Sequence, residues 1–407
     1  MSSSTASHAQ AAAATGRHLV FVGGTSEPGG LHIHTADIAR SCADLGCRVT
    51  ILCTSINYFA PLLEDDAVAI EVIGPLDAMG PQDWLRTRSR LAASAVRLEI
   101  VFCCGSLGDI RIADLAAAYQ CGTAVYTIVH RPVWEPWRHS LSKTEYGRLS
   151  SEFLTGVLAV SGEIAASVTD EFCVPAHKVS TCLNWVSPTF KLPTPAERIA
   201  ARRALGIAPS EILIAFLGRL SPEKRVDALL QAFAGIATEF EAPVRLGLFG
   251  DGWKRKALTE LTQVLGIEDR ACFFGWVSAP WSVLAACDIF VLPSVVEGFP
   301  LALMEAMATG CACLAHPMAS TMQLIENGTH GMLVDLSDSR SFAGALRALL
   351  ECGPAARSRM GLAAAARIAS EYSRARRLPK VLSALGLEAD VAPEFRLSTL
   401  EFNVSPA

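Results

Sequence analysis

The fold is decided by one stretch of the chain, IFVLPSVVEGFPLALMEAMATG at residues 289–310. Its first residues are continuously apolar and end at Pro293, which is typical of a strand buried on both faces. A loop with Glu297 follows. The pattern then predicts a short helix, with Pro300 at its first position and Gly310 just past its end. A buried strand that leads directly into a helix is the repeating unit of α/β sheets.

The same alternation of short apolar runs and amphipathic segments continues through most of the 407 residues. Repeated β-α units predict parallel sheets with helices on both faces. We therefore expect an α/β fold with two doubly wound, Rossmann-like domains that face a central cleft. The predicted strands are 18–24, 48–53, 69–74, 100–105, 123–130, 157–161, 212–218, 244–250, 272–277, 289–294, 312–317 and 331–335.

Prolines mark the boundary between the two halves. Pro188, Pro193 and Pro195 cluster where no periodic pattern is present. Proline suits a linker because it fixes φ and lacks a donor. The expected organisation is a disordered tail at 1–16, an N-terminal domain at 17–187, a linker at 188–199, a C-terminal domain at 200–370, and a C-terminal helix and tail at 371–407, the helix able to cross back to the first domain.

Composition excludes several classes of protein. With 51% hydrophobic residues, the chain can fill large cores and is not a wholly disordered protein. Its mean hydropathy is +0.33. The long uncharged stretches 271–287 and 306–325 are nevertheless interrupted by Pro and Ser, so neither predicts a membrane-spanning helix. The net charge of −5 argues against nucleic acid as a partner.

Cysteine usage and the first residues indicate the compartment. None of the 13 cysteines forms a CxxC pair, which supports neither a zinc ribbon nor a disulfide scaffold. Residues 1–16 lack the basic and apolar regions of a signal peptide. We therefore expect a reduced, cytoplasmic protein.

A glycine-rich turn, GGTSEPGG at residues 23–30, follows the first predicted strand. Its glycines, among them Gly29 and Gly30, let the backbone approach a ligand, and the N–H groups of the following helix can face an anion. The spacing is not G-x-G-x-x-G, and no acidic residue clearly ends the second strand, so a dinucleotide site is not indicated. A plain strand-to-helix turn is the alternative.

A second loop carries two cations. The sequence FLGRLSPEK at residues 216–224 places Arg219 and Lys224 after a strand that ends at Gly218. Open α/β sheets bind ligands at this carboxyl edge. The planar fork of an arginine and the point charge of a lysine together suit a diphosphate. The alternative is a solvated loop with surface cations.

The helix of the opening stretch contains an acidic residue on an apolar background. Glu305 lies among Leu303, Met304, Ala306 and Met307, where a carboxylate is costly to bury without partners. A ribose diol, which donates two hydrogen bonds, would be such a partner. The backbone N–H groups at 299–301 could meanwhile hold a phosphate. The alternative is that Glu305 pairs with a structural arginine.

Glu297 and Glu305, with seven residues between them, resemble the E-x7-E motif of retaining GT-B glycosyltransferases, the large family numbered four. The resemblance covers about residues 19–380. Further stretches fit the family in order: 28–30, 159–161, 174–179, 184–186, 250–252 and 325–328. The chain departs from the pattern at Trp185 and Arg225, where glycine is usual, and at 319–323, where the family has Gly-Gly-x-Pro-Glu.

The resemblance implies transfer of a sugar from a nucleoside diphosphate sugar, with retention of anomeric configuration and without a metal, in polysaccharide biosynthesis. No cofactor is expected besides the donor substrate, and a UDP-sugar is favoured over a GDP-sugar. The implied catalytic residues are His130, Arg219, Lys224 and Glu297. The implied donor-binding residues are Gly29, Gly30, Gly218, Arg219, Lys224, Gly250, Val277, Glu297, Gly298, Phe299, Pro300, Leu301 and Glu305.

The acceptor is expected on the N-terminal domain and to be a saccharide or lipid-linked. Two locally basic stretches bear on it, one between Arg86 and Arg97 and the other at 131–139. A basic amphipathic helix with aromatic neighbours can dock on an anionic membrane surface. Peripheral contact of the first stretch with the inner face of the membrane is therefore an expectation, and a solvated helix face is its alternative.

Two other functions stay open at this level, a sugar-nucleotide epimerase of the same fold and a nucleotide-sugar-binding protein without turnover. A dehydrogenase suggested by the glycine-rich turn is not favoured, because Tyr146 is followed four residues on by Ser150 rather than Lys and the motifs of the second half would be unexplained. No feature of the sequence indicates an oligomeric state.

Overall fold

The computed structural model describes residues 17–23, 29–53, 63, 68–72, 97–121, 124–131, 140–237, 239–240 and 243–387. Within these ranges the chain alternates between strands and helices, as the sequence predicts. Two parallel sheets result, one from each half of the chain.

The first sheet has seven strands in the order β3-β2-β1-β4-β5-β6-β7, and its strand pairs are parallel. Strand β1 lies inside the sheet, between β2 and β4, and is buried on both faces, which fits its apolar run at residues 19–22. The strands are β1 (Arg17–Gly23), β2 (Arg48–Cys53), β3 (Val68–Val72), β4 (Arg97–Cys104), β5 (Ala124–Val129), β6 (Gly156–Ala159) and β7 (Val179–Thr181). The helices of this half are α1 (Gly30–Asp44), α2 (Ile112–Cys121), α3 (Lys143–Phe153) and α4 (Gly162–Ala166).

The second sheet has six parallel strands in the order β10-β9-β8-β11-β12-β13. Its strands are β8 (Ile212–Leu217), β9 (Val244–Phe249), β10 (Ala271–Gly275), β11 (Ile289–Leu292), β12 (Ala312–Ala315) and β13 (Met332–Leu333). The helices are α5 (Pro195–Ala204), α6 (Val226–Ala234), α7 (Arg255–Val264), α8 (Pro280–Ala286), α9 (Leu301–Ala308), α10 (Ala319–Leu324), α11 (Ser339–Glu351), α12 (Gly353–Glu371) and α13 (Arg374–Ala384). Among these helices and those of the first half, none in the described ranges has the length and apolarity that crossing a membrane requires.

All twelve predicted strands are present, with ends that differ by a few residues. Strand β7 was not predicted, because three partly exposed residues carry no recognisable period. Two helix starts also differ. Pro300 has ψ 103° and caps α9 from outside, so the helix begins one residue later than predicted. Pro195 is the first residue of α5, so part of the predicted linker 188–199 is helical.

The chain passes between the two sheets twice, and the two crossings touch. The first crossing contains Val186, whose N–H donates to the carbonyl of Tyr372 in the second (3.1 Å). Helix α13 then packs against β6 of the first sheet. The guanidinium of Arg17 holds the end of this return by donating to the carbonyls of Leu385 (3.1 Å) and Gly386 (2.7 Å).

Candidate active site

The predicted site residues gather where the strand order of each sheet reverses. That point lies between β1 and β4 in the first sheet and between β8 and β11 in the second. A crevice opens there at the carboxyl ends of the strands, and open α/β sheets bind ligands in it. Gly29 and Gly30 follow β1, Arg219 follows β8, and Glu297 follows β11.

Three glycines bring the two halves into contact. A Cβ added to Gly29 would lie 3.8 Å from Nη2 of Arg219, and one added to Gly30 would lie 3.1 Å from Cδ1 of Leu301. A Cβ on Gly298 would overlap the carbonyl oxygen of His130. A Cβ on Gly29 would make only an ordinary van der Waals contact, whereas the absence of a side chain at Gly298 lets backbone from one domain lie against backbone of the other.

The loop after β8 contains the two predicted cations. Pro222–Lys224 forms a single 3₁₀ turn, and Arg225 then adopts left-handed φ and ψ of 49° and 40° at the start of α6. Arg225, at a position where the resemblance expects glycine, therefore has a left-handed backbone that glycine adopts more readily. Such a conformation costs a residue with a side chain about 1 kcal/mol.

Lys224 and Glu297 form an ion pair across the two loops, with 2.5 Å between Nζ and Oε1. The N–H of Val295 donates to the carbonyl of Glu223 (3.0 Å), so the backbones of the two loops are also joined. The sequence predicted both charged residues for the site but not their pairing. The pair fixes the ammonium group at the mouth of the sheet.

Glu305 faces inward from α9, as predicted, and is 5% exposed. Burial raises the pKa of its carboxyl to about 7. Within the described ranges no cation pairs with this carboxylate, so the alternative of a structural arginine finds no support there. A buried acid without a cation is suited to a ligand that brings its own hydrogen-bond donors.

His130 follows β5 and is held through its backbone. Its N–H is shared between the carbonyls of Cys104 (3.2 Å) and Gly105 (3.1 Å). Its ring atom Nε2 is buried and has no hydrogen-bond partner among the described residues. Burial first, then the charge of Arg131 and the neighbouring His32, lower the pKa of His130 to about 3. The imidazole is therefore neutral at physiological pH.

Three residues beside His130 were not predicted for the site. The ring of His34 on α1 lies 5.3 Å from that of His130 and 4.7 Å from that of Trp185. Asp37, one turn further along α1, accepts a hydrogen bond from Nε1 of Trp185. The available signal was the pair His32 and His34 at the start of the apolar helix α1. Their neighbour His130 is about 100 residues away, and the sequence alone could not identify that contact.

The remaining predicted residues support the site or lie beside it. Gly250 packs so closely on the carbonyl of Gly218 that a Cβ would overlap it. Phe299 is buried, and its carbonyl accepts a hydrogen bond from Nδ2 of Asn184 in the first crossing (2.9 Å). Val277 follows the edge strand β10, which β9 separates from β8.

Two predicted features lie outside the described residues. The basic stretch between Arg86 and Arg97 is one of them, except that Arg97 is the first residue of β4. The second basic stretch is described only at Arg131. In the described part of the chain, no group of three His, Cys, Asp or Glu side chains is arranged to hold a metal ion.

Comparison with known proteins supplies the family. Residues 197–367 match the family model for glycosyl transferases group 1, and residues 28–190 match that for Glycosyltransferase Family 4. The D-inositol 3-phosphate glycosyltransferase of Nocardia farcinica is 36% identical over 383 residues, which covers 85% of this chain and 82% of that protein. An uncharacterized glycosyltransferase of Methanocaldococcus jannaschii is 28% identical over 240 residues, and the match spans only 61% of its length.

A solved structure gives the same fold. Anabaena HepE in complex with UDP-glucose superimposes with a TM-score of 0.77 at 21% identity, covering 91% of this chain and 99% of HepE. The two parallel sheets and their flanking helices therefore form the predicted GT-B architecture. On the sequence matches, the chain belongs to the group 1 glycosyltransferases.

Proposed function

We propose that this protein transfers a sugar from a nucleoside diphosphate sugar to a saccharide or lipid-linked acceptor, with retention of configuration at the anomeric carbon. The observation that carries the proposal is the meeting of Arg219, Lys224 and Glu297 at the switch point of the second sheet, opposite Gly29. Cleavage of such a donor produces a diphosphate leaving group and a cationic sugar centre. Charges that are already in place stabilise both without reorganisation.

The two cations have different parts in this proposal. Arg219 faces Gly29 across the cleft and offers a planar fork to two phosphate oxygens. Lys224 offers a point charge whose position is fixed by Glu297. Together they supply the positive charge that a divalent ion supplies in other transferases, so we propose that the reaction is metal-independent.

The nucleoside is assigned to Glu305. Its carboxylate is buried and has no cation among the described residues, and two hydroxyl donors of a ribose would stabilise its charged form. We favour a UDP-sugar over a GDP-sugar as donor. The support for uridine is the structural neighbour, which was solved with UDP-glucose.

Retention is proposed to follow a front-face course, in which the leaving phosphate takes the proton of the acceptor. His130 is positioned for the sugar because its carbonyl lies against Gly298 of the donor loop. With its pKa lowered to about 3, its ring can donate or accept a hydrogen bond but does not add a charge near the cationic centre.

The acceptor is proposed to lie on the first domain, reached through the loops after β4 and β5. A phosphorylated polyol is one acceptor class to test, since the Nocardia relative is named for D-inositol 3-phosphate. Peripheral binding to an anionic membrane through the stretch between Arg86 and Arg97 remains part of the proposal. Co-sedimentation with liposomes tests it, and binding that does not depend on anionic lipid would contradict it.

The cytoplasm is the proposed compartment, supported by 13 cysteines without a CxxC pair.

The function is tested with a panel of UDP-, GDP-, ADP- and TDP-sugars. Thermal shifts identify the donor, because a ligand at 100 times its Kd stabilises the folded state by about 2.7 kcal/mol. Donor turnover is then measured for the wild type, Arg219→Ala and Glu305→Ala. We expect turnover to fall about 100-fold for Arg219→Ala, which removes a charge that acts on the leaving group.

Matched controls are Arg340→Ala and Glu260→Ala, which change exposed residues of the same types. Their turnover should equal that of the wild type. Normal turnover in Arg219→Ala and Glu305→Ala would show that the site is wrongly assigned. Donor binding with neither hydrolysis nor transfer would favour a binding protein, and conversion of the donor to an isomeric nucleotide sugar would favour an epimerase.

A further inference from the structure

We propose that His34 and Trp185 are positioning residues that hold the ring of His130 in place and connect it to the crossing between the domains. The inference rests on the proposed function, which places His130 at the donor sugar. Trp185 stands where the resembled family usually has glycine, so its side chain is a feature of this chain.

His130 needs a support of this kind. Its backbone is fixed by Cys104 and Gly105, but no hydrogen bond within the described ranges orients its ring through Nε2. Packing against neighbouring side chains therefore has to help fix the ring at its Nε2 side. The ring of His34 supplies that packing, at a centroid distance of 5.3 Å and an interplanar angle of 82°. Edge-to-face contacts of this geometry are favourable and directional.

His34 is itself placed at a cost. It is 3% exposed, and neither ring nitrogen has a hydrogen-bond partner among the described residues. A buried polar atom without a partner destabilises the folded state. An apolar residue would fill this position of α1 without that cost, so stability alone does not explain a histidine here.

Trp185 closes the other side of His34. The two rings are 4.7 Å apart at 65°, and Trp185 is 3% exposed. Its Nε1 donates to Asp37, which lies three residues after His34 on α1 and so projects from the same side of the helix. Arg374 of the second crossing approaches the other oxygen of Asp37 (3.7 Å). The indole is thus fixed at both its face and its N–H.

Trp185 lies in the first crossing, so its contact with His34 connects the site to movement of one domain against the other. Its neighbour Asn184 donates to the carbonyl of Phe299 in the donor loop, and its other neighbour Val186 donates to the second crossing. A rotation of one domain against the other must move these three residues. The ring of Trp185 transmits that movement through His34 to His130, so the ring of His130 is set when the domains are in this arrangement.

The test combines ring spectra with a double-mutant cycle. Proteins labelled with ¹⁵N-histidine are prepared as wild type, His34→Ala, His34→Phe and Trp185→Ala, and His130→Ala identifies the His130 ring signals. Those signals should shift and broaden in His34→Ala and Trp185→Ala and return towards wild type in His34→Phe, which restores an aromatic ring. Trp281→Phe is the control, because it removes a similar indole hydrogen bond, from the start of α8 to the carbonyl of Lys191. Its spectra should match the wild type.

Turnover completes the test. Loss of positioning should lower kcat about 10- to 100-fold with little change in the donor KM. In a His130→Ala background, His34→Ala should cause no further loss, because it acts only through His130. Unchanged His130 signals in His34→Ala and Trp185→Ala would overturn the inference, as would a full additional loss in the His130→Ala background. The spectra need no substrate, so an absence of sugar transfer in the wild type would count against the proposed function alone.

Discussion

Replacing Glu305 by glutamine should stabilise the protein without ligand, and the gain should depend on pH. Burial raises the pKa of this carboxyl from its ordinary 4.5 to about 7. Between these pH values the unfolded chain releases the proton while the folded chain keeps it, so stability falls as pH rises through this range. Above pH 7 the folded carboxyl is ionised as well, and the full cost of burying its charge lowers the free energy of unfolding. At about 1.36 kcal/mol per pKa unit, it amounts to roughly 3 kcal/mol. Glutamine has nearly the same shape and carries no such cost.

Urea denaturation of Glu305→Gln and the wild type at pH 5 and pH 8.5 measures this difference. The variant should gain less than about 1 kcal/mol at the lower pH and about 3 kcal/mol at the higher. Glu260→Gln, at an exposed position, should show no gain that depends on pH. UDP should stabilise Glu305→Gln less than the wild type. The glutamine amide has one neutral acceptor oxygen, whereas the carboxylate offers two charged acceptor oxygens to the two ribose hydroxyls. A gain that is equal at both pH values, or a loss at pH 8.5, would refute the argument from desolvation.

Gly298→Ala should lower the melting temperature and increase cleavage by protease at the crossings, because the added methyl group overlaps the carbonyl of His130. Gly344→Ala is its control, since a Cβ there meets nothing within 4 Å, and alanine should stabilise that helix by up to about 1 kcal/mol. Arg17→Met should destabilise the chain by about 3–5 kcal/mol in denaturation experiments, because it breaks the 2.8 Å ion pair of Arg17 with the buried carboxylate of Glu99 and removes its hydrogen bonds to the carbonyls of Leu385 and Gly386. Partial recovery in the double variant Arg17→Met/Glu99→Leu would show that part of the loss comes from the broken ion pair, and no recovery would contradict that share.

The fold follows from the sequence because its determinants are local. Strands buried on both faces are continuous apolar runs, and the alternation with helices leaves parallel sheets as the arrangement that covers them. The exceptions are also local. Strand β7 is too short to show a period. Pro300 fits equally well at the first helical position or just before it. Its observed ψ of 103° is not helical, so Pro300 is the N-cap of α9.

The site was predictable where a residue follows a strand, or where a carboxylate stands out from an apolar helix as Glu305 does. Arg219 and Glu297 could be placed at one edge of the second sheet from topology alone, since parallel strands end at the same side. The contacts between side chains of the site could not be predicted in this way. The pairing of Lys224 with Glu297 depends on side-chain reach across two loops. The contact of Trp185 with His34 depends on how the chain crosses between domains, which no period in the sequence records.

Sugar transfer with retention of configuration is tested by following donor turnover with ¹H NMR. The protein is mixed with the nucleotide sugar that gives the largest thermal shift, with and without acceptor, and the first anomeric signal of the product is observed before mutarotation. A retaining transferase gives a product with the same anomeric configuration as the donor, and this is the expected result. A first product of opposite configuration, or no cleavage of any nucleotide sugar in the panel, would contradict it.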